Sequence, residues 1–321
     1  MALKDQILEK LRSARGEYLS GERLAAEFGV SRNAVWKSIK GLEKQGYKID
    51  SSTNRGYTLS PDCDVLTAEE IGAFAREKYS IRTYRSVGST NDVVKELAAE
   101  GAPEWTVVLA EEQTEGRGRY RRRFDSPFGQ GIYLSVLLRP DFSAAETLYI
   151  TTCAAVAVCE AAESVAGVRA EIKWVNDVFS DGKKICGILT EASFDVESGK
   201  LAYAILGVGI NVRERAFPEE LKGVAGSLFS REECPPDGRS RLAAAFLDRF
   251  RFYYERIGDR AFYPEYKRRL FVLGRRVHVV SGNFEGDGVA VGLDENCFLQ
   301  VRMDSGETRT LAAGEVSIKV E

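Results

Sequence analysis

The chain has 321 residues, 44% of them hydrophobic and 29% charged, an ordinary mixture for a soluble globular protein and enough chain for two or three domains. Its six cysteines form no C-x-x-C pair and it has a single histidine, His278, which argues against a zinc site and against Ser-His-Asp or Cys-His catalysis. Residues 1–60 carry 11 Lys/Arg against 7 Asp/Glu, a net of +4, whereas the rest is net −7, so a basic head on an acidic body hints at anionic partners. The charged N-terminus carries no apolar leader, and no apolar run is read as nearing the roughly 18 residues of a membrane span. A cytoplasmic protein with reduced thiols and no membrane partner is expected.

The first sixty residues read as three helices and a hairpin. Leu3, Ile7, Leu8 and Leu11 recur at helical spacing, and Leu24, Ala25 and Phe28 form a second short helix ended by Gly29. Ser31 caps a third helix with Val35, Ile39 and Leu42 inward, and strands 47–50 and 56–59 flank a polar tip. Helix–turn–helix plus wing is a DNA-docking design. The side chains left free to meet DNA are Ser31, Arg32, Asn33, Lys37 and Lys40, with Arg55 at the wing tip; a protein-interaction module is the alternative. Residues 60–64 read as a linker, and Thr67-x-x-Glu70 as a capping box.

Helices then alternate with strands. Helices are expected near 67–79, 91–100, 143–166 and 239–269, and strands near 105–112, 131–139, 169–175, 185–194 and 201–212. The last two runs are close enough for an antiparallel hairpin, which favours an α+β fold over a doubly wound parallel sheet. After 270, short strands and turns suggest a small β-barrel.

Four segments carry chemistry. Gly116-Arg117-Gly118-Arg119-Tyr120-Arg121-Arg122-Arg123-Phe124 combines glycines that let backbone amides approach an anion with guanidinium forks that bind it. Its five arginines repel one another, so the loop is expected to settle only around an anion; a solvated basic patch is the plain alternative. Lys173-Trp174-Val175-Asn176-Asp177 and Lys184-Ile185-Cys186-Gly187 place a lysine, which can offset charge on phosphate and acyl oxygen, near an aspartate. Taken alone, an ordinary strand–turn–strand with exposed Lys and Asp is the plainer reading. The glycines of Gly207-Val208-Gly209-Ile210-Asn211 mark either a ligand lying on the backbone or a β-bulge. Ser89-Thr90-Asn91-Asp92 either caps a helix or binds a polar ligand.

In this order, the winged helix, Ser-Thr-Asn, Gln113 with Gly-Arg-Gly-Arg, Lys-Trp-x-Asn-Asp, Lys-x-x-Gly-Ile-Leu, Gly-x-Gly-Ile-Asn and the terminal Gly314-Glu315-Val316-Ser317 resemble the biotin protein ligase family, in its bifunctional members that also repress the biotin operon. The resemblance spans the whole chain. It implies a winged helix-turn-helix at 1–62, a mixed-sheet ligase domain at 67–270 and an SH3-like barrel at 271–321. It also implies two reactions, formation of biotinyl-5′-AMP from biotin and ATP, then transfer of biotin to a lysine of a biotin carboxyl carrier protein.

Carried onto matching positions, the resemblance assigns biotin to Ser89, Thr90, Asn91, Gln113, Gly116, Arg117, Arg119, Lys184, Gly187 and Gly207. ATP falls to Arg117, Arg119, Asn176, Asp177 and Asn211, with magnesium arriving with ATP near Asn176 and Asp177 and no metal site from protein alone. Lys184, Arg119 and Asp177 are the expected catalytic residues. Partners are the carrier protein, operator DNA and a second copy of the chain in a homodimer formed when adenylate is bound. Three departures stand out: Arg121 replaces a glycine and Phe124 a tryptophan in the arginine loop, and Val175 replaces a proline. The segment from Phe217 to Leu228 resembles the adenylate-covering loop. A lipoate-type ligase, or a metabolite-sensing transcription factor without ligase activity, are the competing readings.

Overall fold

The computed structural model describes residues 2–14, 16–44, 46–60, 63–142, 146–194, 201–230, 233–282 and 284–318. Pro61 and Asp62 of the linker, the Asp195–Lys200 turn, the start of the helix expected from 143, and Asn283 lie outside them. The chain divides into two compact units, residues 1–65 with 235–238, and residues 66–234 with 239–321.

In the first unit, α1 (Leu3–Ser13), α2 (Gly21–Phe28) and α3 (Arg32–Lys44) are followed by an antiparallel pair, β1 (Ile49–Ser52) and β2 (Gly56–Leu59). Ile7, Leu11, Leu24, Val35, Ile39 and Leu42 close its core at the positions their spacing gives. Local chemistry sets the breaks: Gly29 adopts φ +66, where a side chain would be strained, and the Ser31 hydroxyl accepts the Ala34 amide at 3.2 Å.

The second unit is built on a seven-stranded mixed sheet of order β3-β4-β5-β9-β8-β7-β6. The strands are β3 (Ser80–Tyr84), β4 (Thr106–Ala110), β5 (Gly131–Leu138), β6 (Glu171–Lys173), β7 (Asp177–Ser180), β8 (Lys183–Phe194) and β9 (Leu201–Asn211). Among the described residues, β3 and β4 are the one neighbouring strand pair of this sheet that runs parallel. One face packs on α6 (Thr147–Ala166), α7 (Gly238–Tyr254) and α8 (Tyr263–Arg269); the other carries α5 (Thr90–Ala99). A short α4 (Ala68–Phe74) opens the unit, its Thr67 hydroxyl accepting the Glu70 amide.

Four expectations are corrected. The edge strand β3 was not anticipated. The strand expected over 169–175 is shorter: β6 stops at Lys173, residues 174–176 turn, and Asp177–Ser180 forms β7 between β6 and β8. The helix expected over 239–269 is two: α7 ends at Tyr254, residues 255–262 are turns with Arg260 at φ +53, and Pro264 lies in the first turn of α8, where its missing amide costs nothing. Finally, α6 is long and apolar enough to cross a membrane by length and composition, but 72% of its apolar window is buried inside the unit, as a core helix.

The last five strands, β10 (Arg276–Ser281), β11 (Phe284–Leu293), β12 (Leu299–Met303), β13 (Thr308–Leu311) and β14 (Glu315–Ile318), form an antiparallel sheet of order β13-β12-β11-β10-β14. Among the described residues β13 and β14 do not pair, so the expected barrel is not closed by hydrogen bonds. This sheet shares one apolar core with the mixed sheet.

Candidate functional site

Strand periodicity explains where the cavity lies. Along β9, Ile205, Gly207, Gly209 and Asn211 face the α5 side of the sheet. Ile205 packs under α5 with Val94, Leu97 and Leu137, whereas the two glycines leave a hollow beyond it. The β8–β9 register sets Gly187 beside Gly209 with no bulge there, so the bulge reading of these glycines is dismissed. The start of α5, the arginine loop and the segment after β9 close over the hollow. The resulting cavity has a volume of about 370 Å³.

Ser89, Thr90, Asn91, Gln113, Arg117, Arg119, Asn176, Asp177, Lys184, Gly187, Gly207 and Asn211 all line this one cavity. Gly116 does not. A Cβ there would lie 2.4 Å from the Phe124 carbonyl oxygen and 2.7 Å from Ser126 Oγ, so its role is to let the loop fold on itself. Gly207 lines the cavity, but the space a side chain would fill is taken by the Asn91 carboxamide, 2.4 Å from the Cβ position. Above Gly209 the Phe124 ring stands equally close.

The Ser89–Asp92 segment is more than a helix cap. Ser89 occupies the N-cap position of α5 without a side-chain capping bond. Thr90 instead donates from its amide and hydroxyl to Gln113 Oε1 (2.9 and 3.0 Å), and Gln113 Nε2 donates to Ser126 Oγ at 3.0 Å. Ser135 Oγ lies within hydrogen-bond reach of Thr90 Oγ1 (2.7 Å) and Asn91 Oδ1 (2.5 Å), and Asn91 Nδ2 donates to Glu191. Thr90, Asn91 and Ser135 are buried, so this polar chain is held in fixed geometry. Ser126, Ser135 and Glu191 escaped the sequence reading. The signal for Ser135 was one serine in the otherwise apolar and aromatic run of β5.

The arginine loop is a small hairpin. Gly118 donates to the Arg122 carbonyl at 2.7 Å and Phe124 to the Gly116 carbonyl at 2.8 Å. Tyr120 and Arg121 turn the tip at φ +54 and +59, left-handed values that cost a non-glycine residue of order 1 kcal/mol. The glycine that Arg121 replaces would adopt them freely. Three of the loop's five arginines meet polar groups of the protein. Arg117 is engaged by Asp92, Arg119 Nη1 donates to Asn176 Oδ1 at 3.0 Å, and Arg122 pairs with Glu315 at 2.7 Å.

Across the cavity, Lys184 Nζ lies 2.6 Å from Asp177 Oδ1. Asn176 bridges Arg119 to β8, donating to the Ile188 carbonyl at 2.9 Å. The Trp174–Val175 peptide bond is cis, and this turn is tied down by Trp174 Nε1 to the Cys297 carbonyl and Tyr266 Oη to the Val175 carbonyl, both 3.0 Å. Burial holds the Lys173 ammonium below its ordinary pKa, opposed by Asp177. Gly314 to Ser317 and the covering segment's Phe217, Leu221 and Val224 complete the wall. That segment is strapped to the arginine loop by Arg215, which pairs with Asp125 at 2.5 Å and stacks on Phe217.

In the first unit, Ser31, just ahead of α3, and Arg32, Asn33, Lys37 and Lys40 on it are exposed, and Lys40 pairs with Glu43. Arg55 lies over the Tyr18 ring at 4.1 Å. Trp36, which the sequence reading passed over, is 49% exposed and follows Arg32 by one turn on the same helix face.

The comparisons with known proteins agree with this layout. Residues 83–211 match the Biotin/lipoate A/B protein ligase family, residues 4–58 an HTH domain, and residues 272–319 the Biotin protein ligase C terminal domain. The chain is 34% identical to the Bifunctional ligase/repressor BirA of Bacillus subtilis (strain 168), with 97% of each chain covered. It is 27% identical to the protein of that name from Escherichia coli (strain K12), over 95% of this chain and 94% of the relative. Among solved structures, biotin protein ligase from Aquifex aeolicus in complex with biotin and ATP superposes with a TM-score of 0.61 at 27% identity, covering 75% of this chain and 99% of that one.

Proposed function

Since the chain belongs to the biotin protein ligase family, with the layout of its bifunctional ligase/repressor members, we propose that its cavity makes biotinyl-5′-AMP from biotin and ATP and hands biotin to a lysine of a carrier protein. The observation that carries this reading is the convergence of Arg117, Arg119, Lys184 and Asp177 on one cavity floored by Gly187 and Gly209. Adenylate formation needs two anions brought together and the growing charge offset, and it needs no histidine.

In this reading the Thr90–Gln113–Ser126 chain orients the polar ring of biotin, and Arg117 receives its carboxylate. Arg119, held by Asn176, faces the phosphates. Lys184 starts on Asp177 and turns toward the α-phosphate and acyl oxygen as charge builds there. Asp177 is then free to accept a hydrogen bond from the carrier's incoming amine. Magnesium arriving with ATP would neutralise phosphate charge, and Asp177 is the carboxylate placed to share it, which suits an ion that keeps most of its waters. The Phe124 and Phe217 rings offer aromatic faces for adenine, and Asn211 an amide for its edge. The five C-terminal strands curl as an SH3-like barrel, and the protein works in the cytoplasm.

Incubating the protein with biotin, Mg-ATP and a biotin-acceptor domain tests this: the acceptor should gain the mass of one biotinyl group. No gain, with the acceptor intact, ends the reading. Gly116→Ala should weaken biotin binding by on the order of tenfold to hundredfold, because its methyl pushes Phe124 away and shifts the arginines. Calorimetric titration reads this directly.

The winged helix is proposed to bind a two-fold operator as part of an adenylate-dependent homodimer. Lys37→Ala should lower operator affinity evenly across related sequences and reduce the salt-dependence slope by about one. An unchanged slope in filter binding or anisotropy would remove Lys37 from the phosphate contacts.

A further inference from the structure

Arg117 is the group that the reading above assigns to the substrate carboxylate, and the structure gives it a carboxylate of the protein's own. Its Nη1 donates to Asp92 Oδ2 at 2.9 Å and its Nη2 to Asp92 Oδ1 at 2.5 Å, a two-pronged pair on the Nη1–Nη2 edge of the guanidinium. Glu191 Oε2 stands 3.8 Å from Nη2, fixed there by the hydrogen bond from Asn91. A second carboxylate cannot take the same two prongs without moving Asp92 aside.

Asp92 can move at little cost. It lies in the first turn of α5, where the helix dipole favours a carboxylate whether or not an arginine faces it. Both side chains of the pair are about two-fifths exposed, at 40% and 44%. The fork can therefore exchange partners readily, unlike a buried pair.

We propose that Asp92 is an internal rival of the substrate carboxylate for the Arg117 fork, and that this rivalry sets how strongly the site prefers an acid to its neutral analogue. The proposal rests on the reading that Arg117 receives biotin's carboxylate. An acid must displace Asp92 and leave it beside Glu191, with one guanidinium then serving more negative charge than before. A neutral analogue leaves the Asp92–Arg117 pair in place. Removing the Asp92 charge therefore tightens binding of the acid alone, by the factor that a half-exposed ion pair is worth, about two- to fivefold.

The test is calorimetric titration, without ATP, of biotin and of its alcohol analogue, in which CH2OH replaces the carboxylate. Wild type is compared with Asp92→Asn, Asp92→Ser and Arg117→Gln, and with Glu96→Gln, which removes a charge from an exposed position on the same helix. Melting curves establish that each variant is folded. Asp92→Asn and Asp92→Ser should bind biotin two- to fivefold more tightly with the alcohol unchanged. Glu96→Gln should keep the wild-type ratio, and Arg117→Gln should lose the preference for the acid. If both Asp92 variants bind biotin equally or more weakly, Asp92 is no rival, and the proposal is overturned. Retention of the acid preference by Arg117→Gln overturns it too. A wild-type protein that binds neither compound would instead defeat the ligase reading itself.

Discussion

Lys184→Met should slow biotin-dependent ATP–pyrophosphate exchange by about a hundred- to a thousandfold, with the melting temperature little changed. The lysine stands at the start of β8, and its main chain is pinned on both sides: its amide donates to the Val224 carbonyl at 2.8 Å, and its carbonyl accepts from Gly226 at 2.9 Å. The ammonium is thereby aimed into the cavity, 2.6 Å from Asp177. In the proposed reaction the carboxylate attacks the α-phosphate, and negative charge accumulates on phosphate and acyl oxygens beside a half-buried ammonium. A fixed cation is worth far more there than in solution. Methionine fills the same space, so packing survives, but Asp177 is left facing the phosphates without its partner and adds repulsion to the lost attraction. Exchange within tenfold of wild type would show that Lys184 is not the charge-stabilising group.

The second large effect is on stability. Arg239 is fully buried, and its Nη1 donates to Glu111 Oε2 at 2.7 Å and to the Gly131 carbonyl at 3.1 Å. Glu111 Oε1 also accepts the Leu66 amide at 2.8 Å. Arg239→Ala leaves a buried carboxylate without its cation, which should cost about 3–5 kcal/mol. For a domain of this size that lowers the melting temperature by roughly 10 °C. The double variant Glu111→Gln/Arg239→Met keeps an acceptor for Leu66 and buries no charge, so it should recover much of the loss. Equal melting of Arg239→Ala and wild type in a thermal scan would refute the argument. Glu111 lies two residues before Gln113, so the single variant should also weaken biotin binding, which the double variant should partly restore.

How far the sequence led depended on how local each feature is. The winged helix was legible nearly to the residue, because Ser31, Gly29 and the Val35–Ile39–Leu42 spacing act within one or two turns. The β8–β9 hairpin was legible too, being two apolar runs close in sequence. Strand β3 was not: Ser80–Tyr84 lies at a sheet edge with mostly exposed side chains, so it shows no apolar alternation. Strand β7 is four residues long, with only Val178 and Phe179 apolar, and its last residue, Ser180, reads as the start of the turn through Gly182.

The sequence by itself determined the chemistry available, a histidine-poor set of arginines, lysines, aspartates and glycines in a diagnostic order, because residue type and spacing are written in the chain. Only the tertiary structure decided which partner each of those groups meets. Gly207 makes room for Asn91, Phe124 stands over Gly209, and Arg117 faces Asp92 and Glu191. Glu111 finds Arg239 128 positions away. Charges and hydrogen-bonding groups act over a few ångströms of space, whatever their separation along the chain, so their pairing exists only once the sheet has brought distant strands side by side.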